Sequence, residues 1–257
     1  MTYTPGPTTA ELAQRLGASA GSCEVVTSVA LSPSVREVVL RGQAEVLGGR
    51  PGNDVMVRVE APGETFLRRR FSVRALDAGA DTFTLWVTTD HEGPASAWAA
   101  SAIPGDHVDV VGPRGKVVLD PTADWHLFVG DLTGLAAFYR LAESIPAPGR
   151  AAFVVEIDHL DDALTTAFAE GVEVTAVFVK RRGRSPSDPA GLLNGLATFA
   201  MPPGVGHAYV AGEFHAVRAV TTALRDRGLD DTAISHKPYW RVGRRNAEHG
   251  EPDKSED

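Results

Sequence analysis

The hydrophobic rhythm of this chain changes once, near residue 120, and that change limits the folds open to it. From about residue 23 to 118, short β-type runs follow one another: CEVVTSVAL, VREVVLRG, DVMVRVEA, RRFSVRAL, DTFTLWVTT and HVDVVG. Turn signals such as GGRPGN, APGE, DAGAD and IPGD separate them. Evenly spaced strands with polar turns predict an antiparallel barrel or sandwich. A single helical run, PASAWAASA at 94–102, interrupts the series. After Asp120-Pro121, strand-like runs alternate with helical periodicity, beginning with WHLFVGD at 125–131 and ending with TAISHKPYWR at 232–241. Apolar strands alternating with amphipathic helices predict a parallel sheet with helices on its faces. In the 214–228 segment, Phe214, Val217, Val220, Thr221 and Leu224 share one stripe and Gly228 supplies a C-cap. Two domains are expected, 22–119 and 120–243. The stretch 244–257, with no apolar residue beyond Ala247, is expected to be a disordered tail.

Composition excludes several classes of chemistry. Cys23 is the one cysteine among 257 residues, so no intrachain disulfide, thiolate iron–sulfur cluster or CxxC pair can form. The eight histidines contain no HxxxH or HxH pair, and no metal site is expected. No run of ~18 apolar residues exists, and the N-terminus lacks a basic region followed by an apolar core. A cytoplasmic protein without a membrane span is therefore expected. The formal net charge of −8 argues against non-specific nucleic-acid binding. Yet twelve of the 25 Lys and Arg fall in three acid-free windows: 68–74, 180–184 and 237–245. Such clustering predicts a basic pocket on an acidic body.

Two segments could carry chemistry. Arg69-Arg70-Phe71-Ser72-Val73-Arg74 lies within a strand, and alternation sends Arg70, Ser72 and Arg74 to one face and Arg69, Phe71 and Val73 to the other. An aromatic, a hydroxyl and flanking arginines suit a planar, phosphate-bearing ligand, or else a solvated edge strand. In the second segment, Asp90 to Ala99, Gly93 and Pro94 open a helix whose small residues Ala95, Ser96 and Ala97 let an anion approach the N–H groups. An ordinary Pro-capped helix is the alternative. A third segment, Gly105-Asp106-His107 to Gly112-Pro113-Arg114-Gly115, is by itself turn chemistry.

Together and in this order, the segments resemble the siderophore-interacting protein family, flavin-dependent ferric-siderophore reductases within a ferredoxin-reductase-like group. The resemblance rests on Arg69–Arg74, on His91-Glu92-Gly93-Pro94-Ala95-Ser96-Ala97-Trp98-Ala99, on Pro104-Gly105-Asp106 and on Gly112-Pro113-Arg114-Gly115. It continues through Ala211-Gly212-Glu213 and Lys237-Pro238-Tyr239-Trp240-Arg241-Val242-Gly243, and so covers about 22–243. It implies an N-terminal antiparallel β-barrel that holds FAD, followed by a Rossmann-like parallel α/β domain that receives NADPH or NADH or faces ferredoxin. Arg69 would engage the FAD phosphate region, while Phe71 and Ser72 contact the isoalloxazine and Val73 binds the cofactor beside them. The backbone at Gly93, Pro94, Ala95 and Ser96 would wrap the pyrophosphate, with His91 and Trp98 in the same cofactor segment. Asp131, Thr133, Gly212 and Glu213 fall on the NAD(P)H side, and Lys237 and Arg241 would dock the ferric siderophore. Outer-sphere electron transfer requires no general acid or base, so no catalytic residue is assigned. A monomer or weak dimer is expected.

The chain departs from the family pattern in three places. Phe71 stands where a tyrosine is usual. Gly130-Asp131-Leu132-Thr133-Gly134-Leu135-Ala136-Ala137 keeps Asp131 and Thr133 but loses the family's glutamate and proline, and Val177-Phe178-Val179-Lys180-Arg181 replaces an aromatic W-x-x-R. The last two fall in the half that would meet nicotinamide. Arg181, Arg182 and Arg184 have three candidate partners: a 2′-phosphate, a ferredoxin surface or solvent. Two other functions stay open. One is an FAD oxidoreductase of secondary metabolism with an organic acceptor; the other is a non-catalytic siderophore- or flavin-binding protein.

Overall fold

The computed structural model describes residues 8–61, 64–115 and 117–244. Contacts divide the chain into two units, the first built from residues up to Val29 and from Arg36 to the 115 region, the second from Ala30–Val35 and from Val117 onward.

The first unit contains α1 (Thr9–Leu16), β1 (Ser19–Ala30), β2 (Val35–Arg41), α2 (Ala44–Leu47), β3 (Asp54–Ala61), β4 (Glu64–Asp77), β5 (Thr82–Thr88), α3 (Pro94–Ser101) and β6 (His107–Arg114). Its six strands close into a barrel in the order β1-β2-β5-β4-β3-β6. β6 pairs antiparallel with both β1 and β3, and β4 pairs antiparallel with β3 and β5. Alternation decides which residues point inward. In β5, Phe83, Leu85 and Val87 are buried while the residues between them are half-exposed. They meet Val25, Val38, Leu40, Val55, Val57 and Val110 in one core. Each such side chain contributes about 1.5–3 kcal/mol by leaving water. Cys23 belongs to this core, its Sγ 3.5 Å from the Gly42 carbonyl. Burial pushes its thiol up to about 12, so it behaves as a small apolar side chain.

No element was expected before residue 22, yet α1 forms there. Thr8 and Glu11 make a reciprocal capping box at its start, and Gly17 ends it in the left-handed region. Leu12 and Ala13 pack against Met56 and Val111 in a cluster separate from the barrel core.

The second unit contains β7 (Trp125–Asp131), α4 (Leu132–Ala142), β8 (Gly149–Ile157), β9 (Val172–Lys180), α5 (Ala190–Thr198), β10 (Gly206–Glu213), α6 (Phe214–Asp226) and β11 (Ile234–Trp240). The sheet order is β11-β10-β7-β8-β9, and every neighbouring pair is parallel. The chain enters at β7, winds outward to β9, then returns to β10 on the other side. The β7/β10 boundary is thus a topological switch point. All seven residues of β7 are buried, as a strand covered on both faces requires. One face packs Leu127, Val129, Val154 and Val210 against Leu192, Leu196, Val217, Val220 and Leu224 of α5 and α6. The other carries an aromatic row: Tyr209 lies 4.9 Å from Phe128, which lies 5.0 Å from Phe153. Tyr139 of α4 meets Phe153 edge-on at 5.3 Å.

Residues 30–35 join this unit through Asp162, which is fully buried and accepts from Ser32 Oγ at 2.7 Å, Ser34 Oγ at 2.7 Å and Ser34 N at 3.1 Å. Burial alone would raise the Asp162 pKa, but these donors and the His159 N–H outweigh it and hold the carboxyl below its usual range. The barrel-then-parallel-sheet architecture expected from the sequence is the one observed. The expected tail, 244–257, lies outside the described residues except for Arg244.

Candidate functional site

On β4, Phe71 pairs in register with Val55 and Arg69 with Val57, so both stand on the strand face that carries the barrel core. Val73, on the same face, is 5% exposed and part of that core, and its N–H donates to the Asn53 carbonyl at 3.0 Å. Its side chain is therefore structural. Phe71 is half-buried, and its ring lies 5.9 Å from that of Trp98 of α3. The structure thus brings together two residues 27 positions apart that the sequence had placed in separate motifs. Arg70, on the opposite face, grips Asp54 with Nη2–Oδ2 and Nη2–Oδ1 distances of 2.7 and 2.8 Å. Arg74 is buried with its guanidinium 4.9 Å from the Trp86 ring centre. Two cations of the first basic window therefore hold the barrel together.

α3 begins unusually. Its N-cap is Gly93 in an extended conformation, Pro94 occupies the first turn, and no side chain caps it. A Cβ placed on Gly93 would meet nothing within 4 Å. Approach to the first N–H groups, at Ala95 and Ser96, is open on that side. The Ser96 hydroxyl donates to the Thr88 carbonyl at 3.0 Å, which leaves the backbone as its contribution to any anion. A helix start of this kind favours negative charge. His91, by contrast, is exposed and its Nδ1 lies 2.9 Å from Asp90 Oδ1.

In the second unit, Asp131, Thr133, Gly212 and Glu213 do come together, at the carboxyl ends of β7 and β10. Asp131 Oδ1 accepts from Thr133 N at 2.9 Å and from the Thr133 hydroxyl, and so caps α4. Asp131 Oδ2 accepts from Glu213 N at 2.9 Å and from Trp240 Nε1 at 3.0 Å. Glu213 Oε2 caps α6 through His215 N at 2.6 Å and Ala216 N at 3.1 Å, while Oε1 accepts from Val242 N at 3.2 Å. Gly212, at φ +140°, makes room: a Cβ there would lie 2.6 Å from Asp131 Oδ2. Trp240 belonged to a recognised motif without an assigned role, and the structure supplies one as a clamp on Asp131.

The second basic window is divided: Lys180 and Arg182 are exposed, while Arg181 and Arg184 turn toward internal acids. Arg181 is 8% exposed; its Nε lies 3.0 Å from Glu156 Oε2 and its Nη1 2.7 Å from Asp158 Oδ2. Arg184 Nη2 reaches Glu156 Oε1 at 3.1 Å. Burial pushes the Glu156 carboxyl upward, with Arg181 and Arg184 opposing it. Glu156 and Asp158 were not singled out in the sequence, where a lone Glu-Ile-Asp at a strand end carries no signal. In the third window, Lys237 Nζ lies 5.6 Å from the Tyr239 ring and Arg241 stacks 4.8 Å from Phe214, so the two cations rest on different aromatic rings. Among the described residues, no group of three His, Cys, Asp or Glu could hold a metal ion, and no helix is long and apolar enough to cross a membrane.

A barrel with an open, aromatic-backed helix start, followed by a switch-point sheet, defines a class that comparison with known proteins names. Residues 50–117 match the siderophore-interacting FAD-binding domain and residues 123–243 the siderophore-interacting protein domain. The chain belongs to the siderophore-interacting protein family. An uncharacterized protein of Mycobacterium tuberculosis is 34% identical over 190 residues, covering 68% of this chain. The ferric vibriobactin reductase ViuB of Vibrio cholerae is 27% identical over 181 residues, again 68% of this chain. The matched segment spans 65% of the length of each of these relatives. The crystal structure of a siderophore utilization protein from T. fusca aligns with a TM-score of 0.79 and 27% identity, covering 90% of this chain and 96% of that one.

Proposed function

We propose that this protein is an FAD-dependent reductase of ferric siderophores. The observation that carries the reading is the α3 start: an uncapped helix with open space at Gly93, beside the Phe71–Trp98 ring pair. These features fit the two ends of the cofactor. N–H groups at Ala95 and Ser96 would hold the pyrophosphate, and Arg69 would add positive charge for the phosphates. Phe71, braced by Trp98, would offer a flat apolar face to the isoalloxazine, with the Ser72 hydroxyl toward its polar edge. When bound, FAD supplies electrons singly, which suits a one-electron acceptor such as Fe(III). Lys237 and Arg241 are assigned to the ferric siderophore, whose anionic forms they would attract. ViuB supports this reading, since its name describes reduction of a ferric siderophore.

Reconstitution with FAD followed by a flavin absorption spectrum tests the first half. Anaerobic reduction by dithionite and addition of a ferric siderophore with a ferrous-specific chelator tests the second. Yellow protein that yields Fe(II) supports the proposal. Failure to retain FAD refutes it, and a reduced flavin that persists beside every iron complex leaves flavin binding without ferric-siderophore reduction.

A further inference from the structure

We infer that the strand-to-helix junctions of the second unit are closed to the pyrophosphate of a nicotinamide dinucleotide, so that reducing equivalents reach this protein without a dinucleotide seated there. In open parallel sheets a dinucleotide lies beyond the carboxyl ends of the strands at the switch point, its pyrophosphate against the N–H groups of the following helix. That arrangement needs a gap between strand and helix, N–H groups still open to the ligand, and no fixed negative charge in the way. The β7/β10 boundary provides none of them.

β7 ends at Asp131 and α4 begins at Leu132; β10 ends at Glu213 and α6 begins at Phe214. Neither junction has an intervening loop. Asp131 occupies the N-cap position of α4 and Glu213 that of α6, each bonded to N–H groups that a phosphate would use. Even at the third helix, Ala190 N donates to Asp188 Oδ1 at 3.0 Å. The second oxygens of the two switch-point acids are also engaged, by Glu213 N and Trp240 Nε1 on Asp131 and by Val242 N on Glu213. Asp131, Glu156 and Glu213 together wall the concavity at this end of the sheet. An incoming pyrophosphate would have to displace these bonds and face two carboxylates, Asp131 and Glu213, that no cation among their bond partners balances. Arg181 and Arg184 balance the Glu156 charge, so the repulsion comes from Asp131 and Glu213, whose partners are neutral N–H and O–H groups. The same molecule shows the contrasting case at α3, where glycine leaves the helix start uncovered.

The test is calorimetric titration of the full chain with NADP+ and NAD+, joined to stopped-flow mixing of FAD-loaded protein with NADPH, NADH or reduced methyl viologen. The expected result is no saturable heat up to about 1 mM nucleotide, a weakness that corresponds to negligible specific binding. Flavin reduction by the viologen radical is expected to proceed, while any rate with NADPH or NADH rises linearly without saturation. Saturable binding, or a hyperbolic rate dependence, with either nucleotide overturns the inference. Only the kinetic arm rests on the flavin-reductase reading: a chain that binds neither FAD nor nucleotide defeats that reading and supports this one. The double variant Asp131→Asn, Glu213→Gln keeps one acceptor oxygen in each cap, removes both charges and turns its amide groups toward the Glu213, Trp240 and Val242 N–H donors, and should raise nucleotide affinity roughly tenfold or more. A folded double variant with no gain overturns the electrostatic argument.

Discussion

At Gly93 the missing side chain is itself the feature on which the proposed cofactor site depends. The residue's extended backbone suits any amino acid, so conformation does not demand glycine there. Giving α3 the kind of cap that α4 and α6 carry should close the anion site. Gly93→Asp is predicted to leave the melting temperature unchanged or slightly raised, since Asp is a better N-cap than Gly by a few tenths of a kcal/mol. It should weaken FAD binding by about tenfold or more through repulsion of the pyrophosphate, measured by flavin fluorescence titration. Unchanged affinity would remove the phosphates from α3. Gly212 is the opposite case. Its φ of +140° and the 2.6 Å approach to Asp131 mean that Gly212→Ala combines backbone strain with a clash, at a cost of about 2–4 kcal/mol in a denaturant titration. Gly93 was readable in the sequence because Pro94 follows it at a helix start. Gly212 was readable only as part of a motif, because the carboxylate it accommodates lies 81 positions away on another strand.

At the scale of elements, the fold was legible wherever hydrophobic period and turn chemistry agreed. β7 falls on the boundaries read from the sequence, and all six barrel strands were anticipated. α1 was not, although Thr8 and Glu11 at i, i+3 are the usual signature of a helix start. Only Leu12 and Ala13 of the helix are buried, and their cluster is completed by Met56 and Val111, which no local pattern reveals. Leu12 is 1% exposed in that cluster, so Leu12→Ala should cost about 2–4 kcal/mol without abolishing FAD binding. A loss under about 0.5 kcal/mol would mean that α1 detaches freely in solution. The β8–β9 edge tells a similar story about charge. Arg181, Arg182 and Arg184 read as one basic cluster in sequence, but strand pairing delivers Glu156 and Asp158 to two of them. Arg181→Ala leaves Glu156 buried beside a single remaining guanidinium, and a loss of about 3–5 kcal/mol is expected in chemical denaturation.

For the whole molecule, the net charge of −8 is less informative than where the charges lie. Arg70, Arg181 and Arg184 are tied to internal acids, so the basic windows overstate the cationic surface available to a ligand. The overall pH dependence should instead carry the mark of His126. Burial, then the neighbouring His207, lower its pKa from 6.5 to about 4, with Asp120 opposing. An unfolded chain binds the proton near 6.5 while the folded one refuses it, so stability is lost as pH falls from 6.5 toward 4. His126 stacks on Tyr209, with ring centres 6.0 Å apart, and His126→Phe keeps a ring there without a titrating group. Urea midpoints for that variant should fall less steeply across this interval than those of the parent. Equal slopes would assign the acid sensitivity elsewhere, for example to His207, whose pKa burial also lowers.

The proposed activity, electron flow to iron, belongs to the whole protein. The most direct measurement is anaerobic: FAD-loaded protein, reduced stoichiometrically with dithionite and freed of excess reductant, is mixed with a ferric hydroxamate or catecholate siderophore and a ferrous chelator. Reoxidation of the flavin band in step with formation of the ferrous complex, two irons per flavin, is the predicted result. A flavin that stays reduced while the siderophore keeps its iron would contradict the account.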